Sequence, residues 1–398
     1  MTFKHSNLEL QIKKIPKEVM WCKRCTISNQ RPRVQFDKEG ICSACNYGEY
    51  KTKINWKKRE DELLFLLDKH RKKNGEWDVI VPSSGGKDSG YVAHQLRFKY
   101  NMNPLTVTWA PLEYTNIGWR NLQSNIGSGF TNLLCTPNGK FQRKLARLCF
   151  EELGDAFHVF VLGQLSYPYQ IAQKFNVPLI FFGENGELEY AGDHEHQDMS
   201  YKSCEKCIKH YYKGVTFDQL LSFGLKNKDY LSEKDFAKSD LNFYKIPNLE
   251  DLKKKNIVGQ HYFSYFHKWI PQENFYYCAE HTDYKPNPER SEGTYSKYAS
   301  LDDKMDGMHF YMRYINFGLG RCADEAAHEV RDGHITRQEG VALMNKYDGE
   351  FPKKYFNDFL NYLNISQDHF WDVVDAWRPK HLWDKKGNRW ELKNPIYK

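Results

Sequence analysis

The sequence predicts an α/β protein: a parallel sheet with flanking helices, preceded by a small cysteine-rich segment and followed by a mainly helical C-terminal region. Three observations lead there. Short apolar and β-branched runs alternate with helical segments from Trp77 to Phe182, the β-α-β-α order that buries a parallel sheet beneath crossover helices. A loop rich in glycine and serine, VPSSGGKDS over Val81–Ser89, directly follows the first run. Near the start, two C-x-x-C pairs are separated by 16 residues. The expected division is 1–58 for the N-terminal segment with its cysteine ribbon, 59–245 for the α/β domain, and 246–398 for the helical region, which would carry substrate and partner contacts.

Composition narrows the function classes. A chain of 398 residues can hold two or three domains. With 40% hydrophobic, 27% charged and 15% aromatic residues it is expected to be globular rather than disordered. The net charge of +7 is mild for this length. It suits an anionic ligand such as a nucleotide and permits nucleic acid without demanding it. The opening MTFKHSNLELQIKK has no continuous apolar core of a signal peptide, and no apolar run is long enough to span a bilayer. The expected location is cytoplasmic, with no membrane partner. Ten cysteines in such a chain point to metal or catalysis rather than to disulfides.

The elements follow in order. Cys22-Lys-Arg-Cys25 and Cys42-Ser-Ala-Cys45 can each present two thiolates from a tight knuckle, and together they complete a closed tetrahedral site for structural Zn²⁺. Phe36–Gly40 between them reads as a hairpin turn. Trp77–Val81 is a buried strand, and Tyr91–Leu96 beyond the glycine loop is helical. Strand, glycine loop and helix is a layout for phosphate binding, with backbone N–H groups and the positive helix end facing the anion. Gly85 and Gly86 allow close approach, Ser84 and Ser89 offer hydroxyls, Lys87 adds charge, and Asp88 either holds Mg²⁺ or orients the loop. Leu105–Trp109, Phe130–Cys135 and Pro178–Phe182 read as further strands. The last ends in Gly183-Glu184-Asn-Gly-Glu187, at the carboxyl edge where such sheets bind ligands. Gly183 and Glu184 are therefore candidates for the second wall of the nucleotide site. A plain polar loop is the alternative reading of Glu184 and Glu187.

The loop is neither a Walker A sequence nor G-x-G-x-x-G. It resembles the PP-loop, SGGxDS, of ATP pyrophosphatases, which cut ATP between the α- and β-phosphates and adenylate a carbonyl or carboxyl oxygen. Two further stretches widen the resemblance: the ribbon with RPRVQFDKEGICSAC, and a C-terminal block from Tyr295 to Lys304, Phe310 to Arg321, Asp324 to Arg337 and Tyr347 to Pro352. Together they resemble the N-acetyl sugar amidotransferase family of WbpG and PseA over about Cys22 to Pro352. The resemblance implies a PP-loop, adenine nucleotide alpha hydrolase-like fold. It also implies ATP, Mg²⁺ and Zn²⁺ as cofactors, and conversion of a sugar acetamido group to an acetamidino group through an adenylated imidate. Ammonia would come from glutaminase and cyclase-like partners resembling the subunits of imidazole glycerol phosphate synthase. The pathway implied is lipopolysaccharide O-antigen or flagellin nonulosonic acid synthesis. Lys87, Asp88 and Lys304 are the candidate catalytic residues. Arg313 and Arg321 are the candidates for a sugar carboxylate, which a planar guanidinium matches.

Other readings stay open at this level. Asp324 and His328 could simply pair on one helix face, and Thr336 with Glu339 reads as a capping box. Cys204 and Cys207, with His194, His196 and His210 nearby, could form a second metal site; free thiols in a surface loop are the simpler reading. Trp371, Trp377, Trp383 and Trp390 could dock a partner but more simply fold back on the core. A tRNA thiolation enzyme would also join a zinc ribbon to a PP-loop, and a non-catalytic scaffold for a glutaminase is the third possibility.

Overall fold

A computed structural model of the chain describes residues 3–6, 8–194, 197–206 and 214–398. Its centre is a three-stranded parallel sheet, β1 (Val79–Pro82), β2 (Pro104–Trp109) and β3 (Thr131–Cys135), in the order β1-β2-β3. The register pairs Val79 with Pro104 and Leu105 with Thr131. All six residues of β2 are buried, as a central strand covered on both faces requires. The chain then crosses to the other side of β1. β4 (Phe181–Phe182) joins β1 through the parallel bridge Ile80–Ile180 and the bond from the Ile80 N–H to Leu179 O at 2.8 Å. Beyond it lie β6 (Gly259–Tyr262), parallel to β4, and β5 (Tyr201–Ser203), antiparallel to β6. Strand order therefore reverses between β1 and β4, which opens a crevice at their carboxyl ends.

The expected fourth strand, Pro178–Phe182, is shorter at its start: only Phe181 and Phe182 pair with β6, while Ile180 makes a single bridge to Ile80. Strand β6 was not expected. Gly-Gln-His-Tyr has no β-branched residue, and its extended state comes from neighbours on both sides.

Helices cover both faces. His158–Phe175 packs on β1 and β2, and Lys87–His94 packs on β1 and the Pro271–His281 helix. The largest apolar cluster runs from Ile80 and Leu105 through Phe150 to Phe370 and Trp383, drawing on the sheet and the C-terminal helices alike. The tryptophan tail folds back on this core. Trp377 Nε1 donates to Glu151 O at 2.9 Å and Trp383 Nε1 to Ile315 O at 2.8 Å, and a small hairpin, β7 (Trp383–Lys386) with β8 (Arg389–Leu392), follows. Thr336 caps Arg337–Tyr347 in a capping box with Glu339. Among the described residues no helix is long and apolar enough to cross a membrane.

Candidate functional site: a four-thiol cluster and a cleft at the sheet crossover

The two cysteine knuckles close on each other. Cys22 N–H bonds Ile27 O at 2.8 Å, which bends the first knuckle, and Asp37 N–H bonds Ile41 O at 3.0 Å across the expected turn, with Gly40 at φ +80°. The four Sγ atoms lie within 4.8 Å of one another, with Cys22–Cys45 at 3.9 Å and Cys25–Cys42 at 3.5 Å. Ligands at the usual Zn–S length of about 2.3 Å stand roughly 3.8 Å apart in a tetrahedron, so the cluster fits Zn²⁺. All four cysteines are buried, leaving no open coordination position. The backbone N–H groups of Arg24 and Cys42 point at Cys22 Sγ at 3.4 and 3.3 Å, where they stabilise thiolate charge.

The ribbon is fastened to the rest of the chain. Thr26 Oγ1 donates to Ala323 O at 2.9 Å, Arg337 Nε to Cys22 O at 3.2 Å, and Ser43 Oγ to Gly192 O at 3.1 Å. Lys51 forms a buried pair with Glu189 at 3.0 Å. This docking carries Arg31 and Arg33, on the loop between the knuckles, to the crevice beside β4.

A cleft of about 600 Å³ opens there. One wall is the glycine loop: Ser84, Gly86, Asp88 and Ser89 face it. Gly86 is the N-cap of Lys87–His94, and no side chain caps the helix, so its first N–H groups are left toward the cleft. Gly85 lies beneath the surface at φ +84°; a Cβ there would meet Leu122 Cα at 2.5 Å. The close approach expected of both glycines therefore divides. Gly85 is required by the packing of Asn116–Gly127 behind it, whereas a Cβ on Gly86 would meet only Ser84 Oγ, at 3.4 Å.

Lys87 turns inward. Its Nζ lies 2.5 Å from Asp88 Oδ2, and Asn274 Nδ2 donates to Oδ1 at 3.1 Å. Both carboxylate oxygens of Asp88 are thus engaged, so Asp88 orients the loop, and the residues present give Mg²⁺ no ready two-oxygen seat there.

The opposite wall comes from β4 and its loop. Phe182, Gly183, Glu184, Glu187 and Tyr190 line it. Burial, then the charge of Asp88, pushes the Glu184 carboxyl up to about 7. Burial would also raise Glu187, but the Arg33 guanidinium holds it down to about 2. At the outer end Arg31 and Arg313 converge on one carboxylate. Arg313 is bidentate to Asp324, with Nη2–Oδ1 at 2.8 Å, and Arg31 reaches the same Oδ1 at 3.3 Å. Trp109, Phe160, Tyr167 and Tyr262 supply the apolar surface between the two ends.

Of the residues expected at the site, Ser84, Gly86, Asp88, Ser89, Gly183, Glu184 and Arg313 line one cleft, with Gly85 and Lys87 directly behind. Two are not brought there. Lys304 pairs with Glu113 at 2.7 Å and Asp358 at 2.9 Å, and lines a separate cavity with Arg290 and Lys354. Arg321 pairs with Glu325 at 2.9 Å and covers the Phe310 ring at 4.6 Å. The Asp324–His328 pairing does not form either, because Asp324 is occupied by arginines and neither His328 ring nitrogen has a hydrogen-bond partner among the described residues. Cys204 is buried and its thiol pushed up to about 11 by burial, while Cys207, His196 and His210 lie outside the described residues. Arg31, Arg33, Tyr190 and Asn274 were missed. The two arginines carried a signal, Arg-Pro-Arg in a cysteine-rich segment that precedes the glycine loop; the other two carried none.

Residues 292–396, the last quarter of the chain, match the family model of the LPS biosynthesis protein WbpG-like, C-terminal domain. A search of curated proteins returned no match. The matched segment contains Arg313, Asp324 and the helix Arg321–Asp332 on which the cysteine ribbon docks. The chain is thus a mixed α/β protein with a buried four-thiol cluster and a WbpG-like C-terminal segment.

Proposed function

We propose that the protein is an ATP-dependent, AMP-forming amidotransferase that converts the acetamido group of an anionic sugar to an acetamidino group, in synthesis of a lipopolysaccharide O-antigen or a flagellin nonulosonic acid. One observation carries the reading: the glycine loop at the β1 end and Arg313 of the WbpG-like segment open into the same cleft. In this reading 59–245 is the PP-loop unit, the cysteine ribbon holds Zn²⁺, and 246–398 contributes substrate contacts. The pyrophosphate of ATP lies on the Ser84–Ser89 loop, where backbone N–H groups and the helix start meet its charge. The sugar extends toward Arg31 and Arg313. Asp324 holds those guanidiniums in place, and two cations against one carboxylate leave a net positive charge for an acidic group.

The amide oxygen attacks the α-phosphorus and pyrophosphate leaves, giving an O-adenylyl imidate. Ammonia then displaces AMP. In the cell, ammonia is supplied by glutaminase and cyclase-like partners resembling the imidazole glycerol phosphate synthase subunits.

The test incubates the purified protein with ATP, Mg²⁺ and ammonium chloride against pseudaminic acid, legionaminic acid and a UDP-linked diacetamido uronic acid. AMP release with exchange of one carbonyl oxygen for NH is the expected result. No AMP and no mass change across the panel, with or without the ammonia-supplying partners, would sink the reading and put tRNA thiolation ahead.

A further inference from the structure

Glu184 is a carboxylate of the cleft that forms no ion pair among the described residues. Gly183 seats the chain against Trp269 and near Asp88, which sets Glu184 on the wall facing the glycine loop. The Tyr190 hydroxyl donates to Oε1 at 3.3 Å, and the residue's own backbone N–H also hydrogen-bonds the carboxylate. Among the described residues the cations of the cleft are paired elsewhere. Lys87 is held by Asp88, Arg33 by Glu187, and Arg31 and Arg313 by Asp324. Burial raises its pKa to about 7, with Asp88 and Glu189 adding to the shift and its own backbone N–H and Lys87 opposing it. A group in that range is ionised for part of the protein near neutrality and takes a proton readily.

We propose that Glu184, steadied by Tyr190, is the general base for attack by ammonia, a role that rests on the amidotransferase reading above. The amide nitrogen keeps its proton when the oxygen is adenylated, so the imidate is cationic. The ammonia lone pair forms the new C–N bond, and the C=N electron pair moves to the amide nitrogen. One proton of the new ammonium passes to the Glu184 carboxylate. The C–O bond then breaks, AMP leaves with its electron pair, and the product is an amidinium ion. Glu184 returns its proton to solvent.

Glu184→Gln keeps the shape and the Tyr190 contact but cannot accept the proton. With the sugar panel, its amidine formation from ammonium should fall about 100-fold or more, and by at least an order of magnitude more than its sugar-dependent exchange of labelled pyrophosphate into ATP. Hydroxylamine, whose adduct gives up its proton to water more easily, should recover most of the loss. Plotted against free ammonia, the wild-type rate should rise through a limb near pH 7 that the variant lacks. Tyr190→Phe, which removes a hydrogen bond to the carboxylate, should move that limb upward. Should Glu184→Gln fail to melt cooperatively, Glu184→Asp takes its place, with exchange retained and amidine formation reduced. Exchange and amidine formation falling together, or amidine formation unchanged, overturns the role. Wild type releasing no AMP with any sugar overturns the reading beneath it, a different result.

Discussion

Arg33 grips Glu187 with both ends of its guanidinium across 154 residues of chain, Nε to Oε2 at 3.0 Å and Nη2 to Oε1 at 2.6 Å. The pair ties the cysteine ribbon to the loop after β4, and so fixes one rim of the cleft. Glu187 also accepts the Asp193 N–H at 2.9 Å.

The Glu187 carboxyl is held down to about 2 from an ordinary 4.5. A depressed acid stabilises the fold fully above its unfolded pKa, and that contribution is lost as pH falls through the folded one. The pair should therefore contribute on the order of 3 kcal/mol above about pH 5, fading between pH 4.5 and 2. Denaturant melts of wild type and Glu187→Gln should differ most at neutral pH and converge toward pH 2. Because Arg33 has φ +67°, Arg33→Gly is the better partner variant: it removes the clamp without adding left-handed strain.

The two glycines of the loop should separate cleanly. Gly85→Ala places a Cβ against Leu122 at a left-handed φ, which costs roughly 1–3 kcal/mol for the backbone and a similar amount for overpacking. Gly86→Ala meets only Ser84 Oγ, at 3.4 Å, and should melt as wild type does. If the backbone there touches phosphate, calorimetric titration with ATP should show Gly86→Ala binding about tenfold or more weaker. Equal affinity in the two proteins would remove the phosphate from this loop.

Lys304 tests the boundary of the site. Its two carboxylate partners raise its pKa, yet the pairs are partly exposed and worth about 1 kcal/mol or less. Lys304→Ala should leave the rate of AMP formation within a few-fold and lower the melting midpoint slightly. A loss of two or more orders of magnitude would return Lys304 to the chemistry.

Metal content is directly measurable. The protein should carry ~1 Zn²⁺ per chain by elemental analysis, and Cys25→Ser should lose it. Since the ribbon bonds Ala323 and Arg337, chelation should speed amide exchange in Arg321–Asp332 and Arg337–Tyr347 as well as in the ribbon. Faster exchange confined to 20–50 would show the docking to be independent of the metal.

Much of the local structure was legible. Cysteine spacing implied the cluster because two short knuckles can reach one tetrahedron, and the turn over Phe36–Gly40 formed with Gly40 left-handed as a tight turn needs. β2 was visible as a β-branched run, and the Thr336–Glu339 cap as a four-residue pattern. β6 was not, since Gly259–Tyr262 is extended only because β4 and β5 flank it.

The charged residues divide the same way. By itself the sequence determined the four-thiol ribbon, the strand–glycine loop–helix unit and the β-α alternation of a parallel sheet, because each depends on residues a few positions apart or on a repeating period. Which charges face the cleft was decided only by tertiary structure. Arg313 and Arg321 are alike in sequence, and so are Arg31 and Lys304 in charge. Their partners are assigned by packing: Asp324 lies 293 residues from Arg31, Glu113 lies 191 from Lys304, and Arg321 finds Glu325 on its own helix. A cation is free to meet a ligand only where the fold leaves it one, and no local pattern encodes that.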